Sequence, residues 1–89
     1  MKLNPELIHR KIIGEDIFIP IGQTALEKNG VFVMSPVGAR IWELLSEGLD
    51  TTQIIPLLLE EYEVEPAVLM ADVDEFLAEL SRLGLLLEE

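Results

Sequence analysis

Few residues of this sequence have side chains suited to catalysis or metal binding. Among its 89 residues there is one histidine, His9, and there is no cysteine. Catalysis requires a nucleophile, a base or a metal in a concave site, and a zinc site requires several imidazole or thiolate ligands. His9 stands beside Arg10 and Lys11 in a segment that we predict to be a strand, so we interpret it as a surface residue. The six glycines are scattered and form no phosphate-binding loop.

Four carboxylates, Asp72, Asp74, Glu75 and Glu79, lie in a segment with a helical pattern. Asp72, Glu75 and Glu79 share one face of that helix, where they resemble ligands of a divalent cation. The same spacing is typical of the solvated face of an amphipathic helix. We therefore predict no metal, no cofactor and no enzymatic activity.

The size and composition indicate one globular domain spanning residues 1–89. The hydrophobic share is 49% and the charged share 26%, which is typical of a folded protein rather than a disordered one. The longest apolar run, residues 54–59, is too short to span a bilayer. The first residues lack the apolar core of a signal peptide. We predict a cytoplasmic protein that does not bind membranes.

The net charge of −11 is unevenly distributed along the chain. Residues 1–40 contain five Lys or Arg and four Asp or Glu, whereas residues 41–89 contain one Arg and thirteen Asp or Glu. Such an acidic half repels a polyanion such as DNA. The acidity suits a solvated surface, and it equally suits a protein whose partner is neutral or basic.

The residues before position 35 have the pattern of strands and turns. Residues 7–13 and 17–21 are rich in isoleucine and predict two strands joined by a turn at Gly14. Residues 22–30 are polar and predict a loop, and residues 31–34 predict a third, short strand. We expect the three strands to form an antiparallel meander.

The residues after position 35 have the pattern of three helices. Capping residues or prolines mark their starts, and glycines mark two of their ends. The predicted ranges run from Pro36 to Gly48, from Asp50 to about Glu63, and from Pro66 to Gly84. Pro56 is expected close to the first turn of its helix, where the missing N–H costs least. Residues 85–87 are expected to pack back onto the domain.

The predicted fold class is α+β, with a winged-helix-like three-stranded antiparallel sheet followed by three helices. This helix-turn-helix spacing is found in DNA-binding domains. A recognition helix supplies Lys, Arg, Asn or Gln to phosphates and bases, whereas the third helix here has four carboxylates and only Arg82. We therefore predict no binding to nucleic acid.

A sheet of three strands has an exposed edge, which a guest peptide extends as an added strand. The third predicted strand is apolar and contains no Lys that would block such pairing. Met70 and Leu77 flank the apolar stripe of the third helix and would wall a groove beside it. Core periphery is the other reading of these two residues, and the sequence leaves both open.

The order and spacing of these segments resemble the PqqD family of peptide chaperones. In that family a strand ends in Leu-Asn, and the next helix carries Ile-Trp, a Leu pair and a closing Gly. The corresponding residues here are Met34-Ser35, Ile41-Trp42, Leu44-Leu45 and Gly48. Residues 51–62 resemble the second helix of the family, and residues 72–86 resemble its third helix and the segment that follows it. Pro56 and Met34-Ser35 depart from the pattern, although Ser is an equally good cap.

The resemblance implies a non-catalytic domain that binds the leader segment of a ribosomally made precursor peptide. In the family the leader adds to the third strand, packs on the third helix and is passed to a maturation enzyme, such as a radical S-adenosylmethionine enzyme, a leader peptidase or a cyclase. Carried over to this sequence, the docking strand is Val31, Phe32, Val33 and Met34, and the helical wall is Met70, Val73, Asp74 and Leu77. Phe32 and Met34 are expected to face inward, and Asp74 is expected to meet a basic leader residue.

The alternative is a winged-helix domain for protein interaction or regulation that acts without a precursor peptide. A short precursor reading frame and a maturation enzyme in the neighbouring genes would favour the first interpretation over this one.

Overall fold

The computed structural model describes residues 2–27 and 30–87 of the chain. Its strands are β1 (Lys2–Leu3), β2 (Leu7–Ile12), β3 (Glu15–Pro20), β4 (Phe32–Met34) and β5 (Leu86–Leu87). Its helices are α1 (Gly22–Glu27), α2 (Pro36–Ser46), α3 (Thr51–Glu61) and α4 (Pro66–Arg82). Of the helices described, none combines the length and the apolar character that crossing a membrane requires.

The predicted three-stranded antiparallel sheet is present, with the spatial order β2–β3–β4. Phe18 of β3 lies opposite Phe32 of β4, and it is fully buried under the helices. Phe32 and Met34 lie on the same face and pack against the cluster around Phe18, which confirms that they face inward. Val33 lies on the other face and is 60% exposed.

The three long helices begin where the sequence predicts, within one residue, and each ends about two residues earlier than predicted. Oγ of Ser35 accepts a hydrogen bond from the N–H of Gly38 at 3.1 Å, which caps α2. Asp50 and Gln53 form a capping box at the start of α3. Between α2 and α3, Gly48 adopts a φ of +90°, a conformation that favours glycine at a helix end.

The expected position of Pro56 is wrong, because Pro56 lies in the second turn of α3. A proline there removes the hydrogen bond to the carbonyl group of Thr52. Both residues are exposed, so water can reach this carbonyl group. The loss is thus small enough for the helix to continue to Glu61.

The predicted loop over residues 22–30 is also wrong in its first part, because Gly22–Glu27 forms α1. The carboxylate of Glu6 caps this short helix, since Oε2 accepts from the N–H of Gln23 at 2.9 Å and Oε1 from that of Thr24 at 3.1 Å. The cap comes from a residue far away in sequence, so the local pattern does not reveal it. Residues 28 and 29 of the predicted loop lie outside the described residues.

The two ends of the described residues pair with each other in a small sheet. We did not predict this pairing from the sequence. β1 and β5 are antiparallel, with Lys2 opposite Leu87 and Leu3 opposite Leu86. Nδ2 of Asn4 donates to the carbonyl oxygen of Gly84 at 3.0 Å and holds the same two ends together. The residues after α4 therefore pack back onto the domain, as expected.

Two apolar clusters form the core. One joins α2, α3 and α4, and its buried members are Ile41, Leu44, Leu45, Ile54, Leu58, Leu69 and Val73. The other joins the sheet to α2, α4 and β5, and its buried members are Phe18, Ala39, Trp42, Leu80, Leu85 and Leu86. Phe76 and Leu77 of α4 contact both clusters. The α+β layout is as predicted, whereas the winged-helix description holds only in outline.

Candidate functional site

The first component of the candidate site is the outer edge of β4. Within residues 2–27 and 30–87, β4 pairs with β3 alone. Alternate backbone N–H and C=O groups of an edge strand point away from the sheet and have no partner in it. The strand has no charged residue, and Val31, which precedes it, is 53% exposed. This edge is therefore available to another strand.

The second component is a cavity of about 490 Å³ that adjoins the C-terminal end of β4. Ser35, which follows the strand, lines the cavity, and so does Gly38 in the first turn of α2. The floor is apolar and is formed by Val37, Ile41, Leu69, Val73 and Phe76. A volume of this size is in the range of about 300–1,000 Å³ found for binding pockets.

Gly38 shapes the floor of this cavity. A Cβ atom at this position would lie 3.0 Å from Cε1 of Phe76, closer than carbon atoms normally approach each other. The absence of a side chain thus lets the aromatic ring pack against the first turn of α2. The ring in turn joins the floor of the cavity to both apolar clusters.

The rim of the cavity is acidic. Asp72, Glu75 and Glu79 lie on the face of α4 that lines it, and all three are exposed. Arg82 binds Glu79, with Nε of Arg82 donating to Oε2 of Glu79 at 3.1 Å, and this hydrogen bond lowers the pKa of Glu79 below its usual value. Over the described ranges, Asp72 and Glu75 have no ion-pair partner.

The part of the chain that the structure describes contains no cluster of three or more His, Asp or Glu side chains arranged to hold a metal ion.

The helical wall that the resemblance implied is divided between two places. Met70 and Asp74 line a second cavity of about 300 Å³ between α3 and α4, together with Ile55 and Pro56. Val73 lines both cavities, whereas Leu77 is half-buried and packs against both apolar clusters. The structure therefore brings Val73, but not Met70 or Asp74, to the cavity beside β4.

Five residues of α4 line that cavity and were not among the predicted wall residues: Leu69, Asp72, Glu75, Phe76 and Glu79. The sequence did show that Asp72, Glu75 and Glu79 share a face. It did not show which face of α4 turns toward the end of β4, because this depends on how α4 packs against α2 and α3.

His9 is more than a surface residue of its strand. Its ring stacks on Phe18 with centroids 4.5 Å apart, and its Nε2 atom lies 2.8 Å from Oδ1 of Asp16. Asp16 is only 6% exposed, so His9 provides the hydrogen bond that a buried carboxylate needs. His9 does not line either cavity, and both of these contacts are made to residues of the neighbouring strand β3.

Comparisons with known proteins agree with the fold. The chain is similar to a solved structure described as TbiB1 in complex with the TbiA(beta) leader peptide, with a TM-score of 0.83 and 29% sequence identity. The similarity covers 100% of this chain and 98% of that one. No curated protein matches the chain. The family model for coenzyme PQQ synthesis protein D (PqqD) matches residues 24–86, which is more than half of the sequence. The chain therefore belongs to the PqqD family.

Proposed function

We propose that this protein binds the leader segment of a ribosomally made precursor peptide and delivers it to a maturation enzyme, without catalysing a reaction itself. The leader adds to β4 as a further strand, and one of its side chains enters the cavity beside α4. The free edge of β4 next to that cavity is the observation that carries the proposal.

The edge of β4 supports strand addition because β4 has a paired side and an unpaired side within the described residues. Main-chain hydrogen bonds give affinity in this binding mode, and pockets for alternate side chains give specificity. Antiparallel addition would continue the pattern of the sheet, in which both existing pairs are antiparallel. We therefore keep residues 31–34, the docking strand predicted from the sequence, as the proposed docking strand.

The helical side of the site is revised from the sequence prediction. Val73 remains a contact of the guest, while Phe76, Asp72, Glu75 and Glu79 take the place of Met70, Asp74 and Leu77. The revision follows from the cavity, which begins at Ser35 immediately after β4. We propose that a guest strand paired with β4 extends past Met34 to this opening.

The similarity to TbiB1 supports the leader as the guest. That protein was solved with a leader peptide, and the match covers this chain completely at 29% identity. Two chains this similar over their full length share more than a general fold outline, so we extend the class of ligand to this protein.

The proposal that the domain itself is not an enzyme rests on its polar side chains. His9 is engaged by Asp16 in the sheet, and Ser35 accepts the capping hydrogen bond of α2. Chemistry on the precursor is therefore assigned to a partner, which we propose to be a radical S-adenosylmethionine enzyme, a leader peptidase or a cyclase. The cavity and the strand edge position the peptide for that partner.

The experiment is a calorimetric titration of the protein with the leader half of a precursor peptide encoded beside its gene. A peptide of the same composition in scrambled order is the control. The proposal predicts saturable binding of the leader and much weaker binding of the scrambled peptide. Equal affinities for both, or no binding of either, would contradict it.

A further inference from the structure

We infer that the site selects leaders in which an apolar side chain is followed or preceded by Lys or Arg. The apolar side chain occupies the floor of the cavity, and the cation binds Asp72 and Glu75 on its rim. This inference rests on the proposed function and adds the chemical class of the guest to it.

The two carboxylates are placed to act together on one cation. They are three residues apart on α4, so their side chains are neighbours on the helix surface. Both line the cavity that adjoins β4 and both are exposed. A cation beside the opening would therefore meet both carboxylates without displacing an existing contact.

The cation has to come from outside the helical part of the protein. Arg82 is the only basic residue after position 40, and Glu79 already binds it. Arg40, on α2, binds Glu43 and Glu61 instead. Asp72 and Glu75 thus remain without a partner within the described ranges, in a half of the chain that is strongly acidic.

The apolar floor decides the rest of the guest's chemistry. Phe76, Val37 and Leu69 offer no hydrogen bonds from their side chains, so a buried polar group of the guest would lose its hydration there without compensation. An apolar side chain gains by burial, and the aliphatic stem of Lys or Arg extends over apolar surface while its charge stays in water at the rim. A neutral or acidic guest would leave the two carboxylates repelling each other or the guest.

The expected loss of binding affinity follows from the exposure of the ion pair between the guest's cation and Asp72 and Glu75. Exposed ion pairs contribute little individually, so loss of the guest cation should weaken binding about fivefold at low salt. The difference should shrink as salt rises, because the charges are screened. The apolar contact does not depend on salt in this way.

The test is selection from a display library of random linear peptides on three forms of the protein. These are the wild type, the double variant D72N/E75Q, and the control E60Q/E63Q, which removes the same charge from exposed positions outside both cavities. We expect wild type and control to select peptides with Lys or Arg beside an apolar residue. D72N/E75Q should retain the apolar preference and lose the basic one.

A selected peptide then gives the affinity. Replacing its basic residue with glutamine should weaken binding about fivefold to wild type and leave the affinity for D72N/E75Q unchanged. Peptides that bind with no basic preference, or with the same preference for all three proteins, would overturn this inference and leave the proposed function standing. Failure of the wild type to select any peptide would count against the proposed function itself, and the inference with it.

Discussion

Gly38 and Phe76 are in such close contact that a Cβ atom at position 38 would lie 3.0 Å from Cε1 of the ring. The same Cβ would lie 3.2 Å from Oγ of Ser35, the residue that caps α2. The contact therefore joins three features of the site: the end of β4, the first turn of α2 and the floor of the cavity. Replacing this glycine with alanine therefore requires these neighbouring side chains, above all the Phe76 ring, to shift by a few tenths of an ångström.

We expect Gly38→Ala to destabilise the protein by about 1 kcal/mol, because crowding costs about 1–3 kcal/mol and outweighs the gain of about 1 kcal/mol in helix propensity. In a Phe76→Leu background the ring is absent, and the same substitution should be neutral or stabilising. Urea unfolding of the four proteins in a double-mutant cycle measures the coupling. A Gly38→Ala variant as stable as wild type would show that the contact does not constrain α2.

Ile13, in the turn between β2 and β3, should be a site where substitution stabilises the protein. It has a φ of +49°, and its side chain is 98% exposed. Ile13 and Gly14 form a two-residue turn with positive φ at both positions, for which Asn-Gly is the preferred pair. Ile13→Asn should add about 1 kcal/mol of stability by relieving backbone strain.

A gain of this size corresponds to a rise in Tm of about 4–8 °C for a domain of this length. Ile12→Asn is the matched control, because Ile12 is also exposed but lies within β2 and not in the turn. It should give no gain. An unchanged Tm for Ile13→Asn would mean that the turn is not strained in solution.

The cap of α1 should make this helix sensitive to acid. Hydrogen bonds from the N–H of Gln23 and from Thr24 lower the pKa of Glu6 below its usual value of 4.5. Because the folded-state pKa is depressed, the stabilisation is present above pH 4.5 and is lost as the pH falls through the folded-state value. The amide groups of Gln23 and Thr24 should lose protection from hydrogen exchange as the pH falls from 4.5 through the folded-state pKa of Glu6.

Glu6→Gln removes the charge and one of the two acceptor oxygens, so it should weaken protection of these two amides at neutral pH and abolish their acid transition. Glu15→Gln removes a carboxylate from the start of β3, away from α1, and serves as control. An acid transition that persists in Glu6→Gln would assign it to another group.

The parts of the fold that were predictable from sequence depend on local signals. Ser35, Asp50 and Pro66 mark helix starts by their own chemistry, and the alternating isoleucines mark β3 by their period. The parts that were not predictable depend on distant partners. α1 needs the carboxylate of Glu6, and β1 needs β5 from the other end of the described residues. No short window of sequence therefore contains either element together with its partner.

The same distinction applies to the site. A short strand near residues 31–34 was predictable because an apolar run without Lys is a local pattern, whereas docking of a leader on it stays a prediction. The residues of α4 that line the cavity beside β4 were not fully predictable, because Met70 and Glu75 both flank one apolar stripe. The packing of α4 against α3 turns Met70 toward one cavity, and leaves Glu75 at the cavity beside β4.

A proline in β4 should separate strand addition from simple contact with the cavity. Val33→Pro removes one N–H from the strand and should weaken leader binding about tenfold or more. Val33→Thr retains the N–H and a β-branched side chain, and because Val33 is 60% exposed it should bind as the wild type does. Circular dichroism should show intact helices in both. Equal binding by both variants would indicate that the guest does not pair with the backbone here.

The most direct test of strand addition is amide hydrogen exchange of residues 32–34, measured with and without a leader peptide. Alternate amides of β4 bond to β3, and the others face the free edge. Saturating peptide should slow exchange of the amides at the free edge by about tenfold or more, with little effect on those already bonded to β3. A peptide that binds tightly and leaves all β4 amides unchanged, protecting instead the region between α3 and α4 around Met70, would contradict the account.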